Sequence, residues 1–317
     1  MTKKQRSIII LTVLAFLIFD LGIYFCFTSR YIDRSPELMK SSSIELDKYL
    51  PFEENSLAVK TETDFTLSGE LPVLDGATAL FPIYSSFMNA YYPEGSCVFD
   101  GEKFSENSFL QKRGTTGAYK AVCSGEADII FAAQPSEEQL EYAKQLGAEL
   151  EFVPIGYEAF VFIVNSDNPV DGLSSEQIKD IYSGRIKNWR ELGGENLPVI
   201  PLQRAENSGS QTAMTAFMGG TPLMKPPAVL LGRSIGYSFR SYVSDIAGKE
   251  NIKMLSVNGV YPDRESIRNR SYPVTDCFYA VYRKDCANAN IPLLIEKILS
   301  PEGQDIIERT GYVGVGI

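Results

Sequence analysis

Histidine is absent from all 317 residues. That absence removes Ser-His-Asp and Cys-His catalysis and every His-ligated metal site. The five cysteines (Cys26, Cys97, Cys123, Cys277 and Cys286) include no C-x-x-C pair, which argues against a zinc or redox motif and leaves disulfide pairing open. Basic residues are in deficit. Thirty Lys and Arg stand against 40 Asp and Glu, a net charge of −10, so no nucleic-acid partner is expected. Tryptophan occurs once, at Trp189, where a core anchor is the expected role. What remains is globular in composition, 44% hydrophobic and 22% charged, and long enough for one large or two medium domains.

Lys3, Lys4 and Arg6 precede an apolar run from Ile8 to Phe27, 20 residues with 14 Leu, Ile, Val or Phe. That length spans a bilayer as a helix. Asp20 opposes insertion by roughly 2.5–3.5 kcal/mol, less than the sum of about 0.3–0.6 kcal/mol from each large apolar residue. The basic start places the folded body outside the cytoplasm. Residues 1–30 are therefore expected to form an uncleaved single-pass membrane anchor, with a cleaved signal or lipid attachment through Cys26 as alternatives. Residues 31–70 are polar and weakly periodic, a tether that becomes an ordered arm near Tyr49-Leu50-Pro51-Phe52.

The body starts near Leu71 and alternates strands with helices. Leu71–Leu74 predicts a strand, and Asp75-Gly76-Ala77-Thr78-Ala79-Leu80-Phe81-Pro82 a small-residue turn into a helix with Ile83, Phe87, Ala90 and Tyr91 on one face. Arg113-Gly114-Thr115-Thr116-Gly117 opens a second helix, stopped by Gly125. Asp128–Ala133 reads as a buried strand, Glu151–Ile155 as a strand, and the wholly apolar Ala159–Val164 as one of a parallel sheet covered on both faces. Ser136-Glu137-Glu138-Gln139 and Ser174-Ser175-Glu176-Gln177 are capping boxes. Later strands are expected over Ile235–Phe239, Lys253–Val257 and Cys277–Tyr282, and helices over Ile291–Leu299 and after Ser300-Pro301. This alternation predicts an α/β fold with largely parallel sheets, and its restart after Asn165 predicts two lobes.

The stretch Arg204-Ala205-Glu206-Asn207-Ser208-Gly209-Ser210-Gln211-Thr212 follows an apolar run, Val199–Leu202, and opens a helix with Ala213, Met214, Phe217 and Met218 on one face. A helix start leaves N–H groups unpaired and carries about +0.5 charge, which suits an anion. Ser208 and Ser210 add hydroxyl donors, Gly209 permits close approach, and the Arg204 fork fits a tetrahedral oxyanion. The same residues also describe an ordinary N-cap beside a solvated arginine. A hydrolase with Ser208 or Ser210 as nucleophile lacks a positioned base.

From Leu71 to the C-terminus the chain resembles the phosphate-binding subunits of bacterial ABC importers, a type II periplasmic-binding-protein fold. The resemblance rests on Asp75–Pro82, Gly114-Thr115-Thr116-Gly117, Gly125-Glu126-Ala127-Asp128-Ile129, Asp180–Trp189, Arg204 with Ser208-Gly209-Ser210, and Ile235-Gly236-Tyr237. It implies two lobes joined by a hinge of two crossover strands near Ala159–Asn165 and Val274–Tyr282. Lobe one would comprise 71–164 and 272–317, and lobe two 165–271. It further implies that Thr78, Ala79, Thr115 and Thr116 from one lobe, and Arg204, Ser208, Gly209 and Ser210 from the other, bind phosphate or a related oxyanion. No catalysis, metal or cofactor is implied, and the partner would be an ABC permease or a membrane sensor. Two departures stand out. The family's aspartate for the proton of hydrogen phosphate is replaced by Ala133 and Gln134, with Glu158 as a candidate substitute. The short stretch Ala228–Ser234 lacks room for a further family helix, so a non-binding ectodomain used in signalling or adhesion is the alternative function.

Overall fold

The computed structural model describes residues 17–22, 46–225, 232–247 and 251–316. Most of the expected anchor, Cys26 included, lies outside the described residues, as do residues 31–45 of the tether and most of Ala228–Ser234. Residues 17–22 are helical and expose Leu17, Ile18, Phe19 and Leu21. Among the described residues no helix is long and apolar enough to cross a membrane.

The strands are β1 (Leu74–Gly76), β2 (Ile129–Ala132), β3 (Leu150–Asn165), β4 (Gly172–Leu173), β5 (Val199–Pro201), β6 (Arg233–Phe239), β7 (Ile252–Met254), β8 (Ser256–Val257), β9 (Thr275–Arg283) and β10 (Val313–Gly314). The helices are α1 (Phe81–Tyr91), α2 (Gly114–Ser124), α3 (Glu137–Gln145), α4 (Ser175–Tyr182), α5 (Gly209–Met218), α6 (Arg240–Ala247), α7 (Arg264–Arg268), α8 (Asn290–Leu299) and α9 (Pro301–Arg309). One sheet runs β1-β2-β9-β3-β6-β5, with β7 and β10 also paired to β3.

The sheet is mixed, which corrects the expectation of largely parallel pairing. β1–β2, β5–β6 and β4–β8 are parallel, but β3 is antiparallel to β6, β7, β9 and β10. A continuous apolar run such as Phe160-Val161-Phe162 reports cover on both faces, not strand direction. The two strands expected at 151–155 and 159–164 are one, β3, with a register shift between Pro154 and Gly156. Pro154 has no N–H to give to the ladder, and a β-bulge absorbs that gap without ending the strand. Gly156 has no substitute, since a Cβ there would lie 2.2 Å from the Phe278 ring. Conversely, the single strand expected at 253–257 divides into β7 and β8, and the expected strand at 71–74 begins only at Leu74.

The core changes composition along β3. Val153 and Ile155 of β3 pack with α1, α8 and α9, whereas Ala159 onward packs with Trp189, Met214 and Tyr237. A third apolar cluster gathers α2 against β2 and Val281 of β9. Trp189 is fully buried and gives its indole N–H to the Arg233 carbonyl oxygen at 2.9 Å. Helix α1 is buried around nearly its whole circumference, not on one face. The arm explains this: the N–H groups of Phe52 and Val59 reach Asn89 Oδ1 at 2.7 Å and Ser86 Oγ at 2.8 Å, so chain N-terminal to the sheet covers the side of α1 left open by it.

Candidate functional site

Three helix starts converge on one cavity of about 410 Å3. The turn after β1 is tight, because a Cβ on Gly76 would lie 2.6 Å from the Phe131 carbonyl oxygen. It delivers Thr78 and Ala79 in a single 3-10 turn that leads into α1, with no side-chain cap at either start. Gly114, at φ +72°, swings the chain into α2, which also starts without a side-chain cap. On the other side Ser208 caps α5, its Oγ accepting the Gln211 N–H at 3.3 Å. One capping bond leaves other first-turn N–H groups for a ligand, and the Ser208 hydroxyl proton remains a donor.

Thr78, Ala79, Thr115, Thr116, Arg204, Ser208, Gly209 and Ser210 all line this cavity. The two segments also touch directly. A Cβ on Gly209 would come within 3.2 Å of Thr115 Oγ1, and Thr116 Oγ1 donates to the Asn207 carbonyl oxygen at 2.9 Å. That bond commits the Thr116 proton to chain–chain contact, so in this arrangement Thr116 offers an anion its backbone and not its hydroxyl hydrogen. Asn207 sits at φ +60°, a left-handed conformation that asparagine tolerates better than most residues. There its carbonyl also receives Gln139 Nε2 at 3.2 Å, while its amide bonds Glu138.

Arg204 is positioned through its backbone. Its N–H reaches Gln211 Oε1 and Tyr237 Oη, each at 3.1 Å. Burial pushes the Tyr237 phenol up to about 12, so it stays a neutral hydroxyl and donates to Gln211.

The sequence reading missed Lys112, Arg113, Ser238 and Tyr242, which line the same cavity. Arg113 is the most informative of them. Its guanidinium meets the fully buried Asp75 carboxylate at 2.6 Å, and its N–H donates to the same side chain at 2.8 Å. An arginine directly before Gly-Thr-Thr-Gly was a legible signal; its buried carboxylate, 38 residues upstream, was not. Among the described residues, Lys112 and Arg204 join Arg113 as three cations bordering the cavity, and no Asp or Glu lines it. Gln134, one of the two residues expected to stand in place of the family's aspartate, donates to Tyr279 Oη at 2.6 Å. Glu158 lines a neighbouring cavity instead. Among the described residues no cluster of His, Cys, Asp or Glu could hold a metal ion.

The PBP superfamily domain model matches residues 73–286, more than half of the chain. A phosphate-binding protein PstS from Borreliella burgdorferi is 24% identical over 181 residues, covering 50% of this chain and 64% of that protein. The Bacillus subtilis PstS is 27% identical over 165 residues, 48% of this chain and 53% of its own length, so the matched stretch spans less than two thirds of both relatives. SphX of Synechococcus elongatus is 25% identical over 269 residues, 77% of each chain. Among solved structures, a phosphate ABC transporter substrate-binding protein from Clostridium perfringens with bound phosphate superposes with TM-score 0.57 at 26% identity. It covers 76% of this chain and 98% of that one. The chain belongs to the PBP superfamily, the periplasmic-binding-protein fold, and within it is similar to the PstS proteins.

Proposed function

We propose that the protein is an extracytoplasmic solute-binding protein that clamps phosphate or a similar tetrahedral oxyanion. The observation that carries this reading is the cavity at three helix starts, bordered among the described residues by Lys112, Arg113 and Arg204 and by no carboxylate. Helix starts and guanidinium groups both favour negative charge, and they act together where water is partly excluded. Thr78, Ala79, Thr115 and Thr116 would hold the anion from one lobe, and Arg204, Ser208, Gly209 and Ser210 from the other. The lobes would be 71–164 with 272–317, and 165–271, hinged where β3 and β9 pass between them. The change of apolar core between Ile155 and Ala159 supports two lobes, but it assigns Ala159–Val164 to the core of the second. Delivery to an ABC permease or a membrane sensor, from an anchor over Ile8–Phe27, completes the reading.

Titration calorimetry with phosphate and with sulfate tests it. Saturable heat with phosphate is expected. Without a carboxylate on the cavity wall there is no repulsive element against a fully deprotonated anion, so sulfate should bind within about tenfold of phosphate. No heat with either anion sinks the proposal.

A further inference from the structure

The cleft continues beyond the oxyanion cavity into a second one of about 220 Å3, and the two share Ala77, Ala79, Thr115, Gly209 and Phe239 as walls. Their electrostatics are opposite. Among the described residues no Lys or Arg lines the second cavity, whereas Glu158 and Asp276 do. These two carboxylates lie directly opposite each other on β3 and β9, so their side chains leave the same face of the sheet. Glu158 is buried, and its oxygens accept the N–H groups of Ala159 at 2.9 Å and Ser241 at 3.3 Å. A carboxylate has about four lone-pair sites, so it keeps capacity for a further donor. Arg240, whose charge is felt at Glu158, turns its Nε–H to the Pro262 carbonyl oxygen at 2.8 Å. The remaining wall is mostly apolar and includes five aromatic rings, Phe160, Phe217, Phe239, Phe278 and Tyr312. Aromatic faces with carboxylates beside them attract organic cations. Inorganic phosphate has nothing to place there.

We propose that the ligand is an oxyanion carrying a short organic tail that ends in an ammonium group, either an aminoalkyl phosphonate or an aminoalkyl phosphate ester. The anion sits among Lys112, Arg113, Arg204 and the helix starts, the carbons lie along the aromatic wall, and the ammonium meets Glu158 and Asp276. The inference rests on the oxyanion reading of the first cavity. At about 30 Å3 per water-sized group, the second cavity takes a tail of a few heavy atoms.

Calorimetry on the full chain at pH 8 with four probes tests this: inorganic phosphate, propylphosphonate, 2-aminoethylphosphonate and phosphoethanolamine. Propylphosphonate and 2-aminoethylphosphonate have the same number of heavy atoms and differ by a methyl against an ammonium. The ammonium compound should bind at least about tenfold tighter, the size of one charge-assisted hydrogen bond. That ratio should fall toward one in Glu158→Gln and in Asp276→Asn, the second an exposed position where folding is not at risk. Comparison with phosphoethanolamine shows whether the phosphonate or the ester is preferred. If phosphate binds and propylphosphonate equals or exceeds its ammonium counterpart, the tail assignment is wrong while the oxyanion reading stands. A ratio unmoved in both variants also overturns it. If none of the four gives heat, both fall together.

Discussion

Asp75 and Glu158 are both buried carboxylates of the cleft, and they are held in opposite ways. Asp75 is fully buried and takes the Arg113 guanidinium at 2.6 Å, with the N–H groups of Gly76 and Arg113 each at 2.8 Å. Glu158 is buried almost as deeply and accepts two backbone N–H groups, yet among the described residues no ion pair places a guanidinium or an ammonium on it. Its carboxyl is pushed up to about 7, because burial outweighs the pull of those hydrogen bonds and of Arg240. Desolvation is common to both; the partner is what differs. One carboxylate builds the cationic cavity by fixing Arg113 at its edge, and the other leaves the adjoining cavity ready for a cation from outside.

Removing the paired carboxylate should do the greater damage. Asp75→Ala leaves the N–H groups of Gly76 and Arg113 without their acceptor and Arg113 without its counter-charge. Breaking a buried pair from one side costs about 3–5 kcal/mol, and Arg113 is 35% exposed, so the expected loss is about 3–4 kcal/mol in urea unfolding. A midpoint shift worth under 1 kcal/mol would mean that the pair positions nothing.

Glu158→Gln should instead stabilise the fold, in a pH-dependent way. A carboxyl raised to about 7 from its ordinary 4.5 supports the fold below the ordinary value, and that support is lost as pH rises through 7. Glutamine never ionises. Relative to the unsubstituted protein the variant should therefore gain about 3 kcal/mol between pH 4 and pH 8. Equal curves at both pH values would show that water or a cation already serves Glu158.

How far the sequence revealed this cleft depended on the span of each contact. Capping boxes at Ser136 and Ser174 were legible because a cap and its partner lie three residues apart, and the structure forms both. The stretch 204–212 was legible for the same reason: apolar spacing, a hydroxyl cap and Gly219 as the stop are all local. The direction of β3 was not, since a buried run looks alike in parallel and antiparallel pairing. Nor was α6, whose start at Arg240 follows β6 with no intervening turn residue to mark it. Tyr242 joined the cavity only through packing across the chain, and nothing in its immediate neighbours announces it, whereas Lys112 is carried in beside Arg113 by the same turn.

On the cationic side, Arg204→Ala should weaken phosphate binding by about thirtyfold, or about 2 kcal/mol, the range for a hydrogen bond to a charged group. Calorimetry that found affinity unchanged would remove Arg204 from the site.

The finest test separates capping from binding. Ser136 and Ser208 play the same local part, each Oγ accepting an N–H three residues on, at 3.2 and 3.3 Å. Replacing either with alanine should cost about 1 kcal/mol of stability, the usual value of a cap. Only Ser208 lines the oxyanion cavity, where its hydroxyl proton can reach an anion while its oxygen caps the helix. Ser136→Ala should thus leave phosphate affinity where it was, and Ser208→Ala should lower it by about tenfold, the low end for one hydrogen bond to a charged group. Equal stabilities with unequal affinities assign the Ser208 hydroxyl to both tasks. Equal affinities would reduce it to the cap that Ser136 already is.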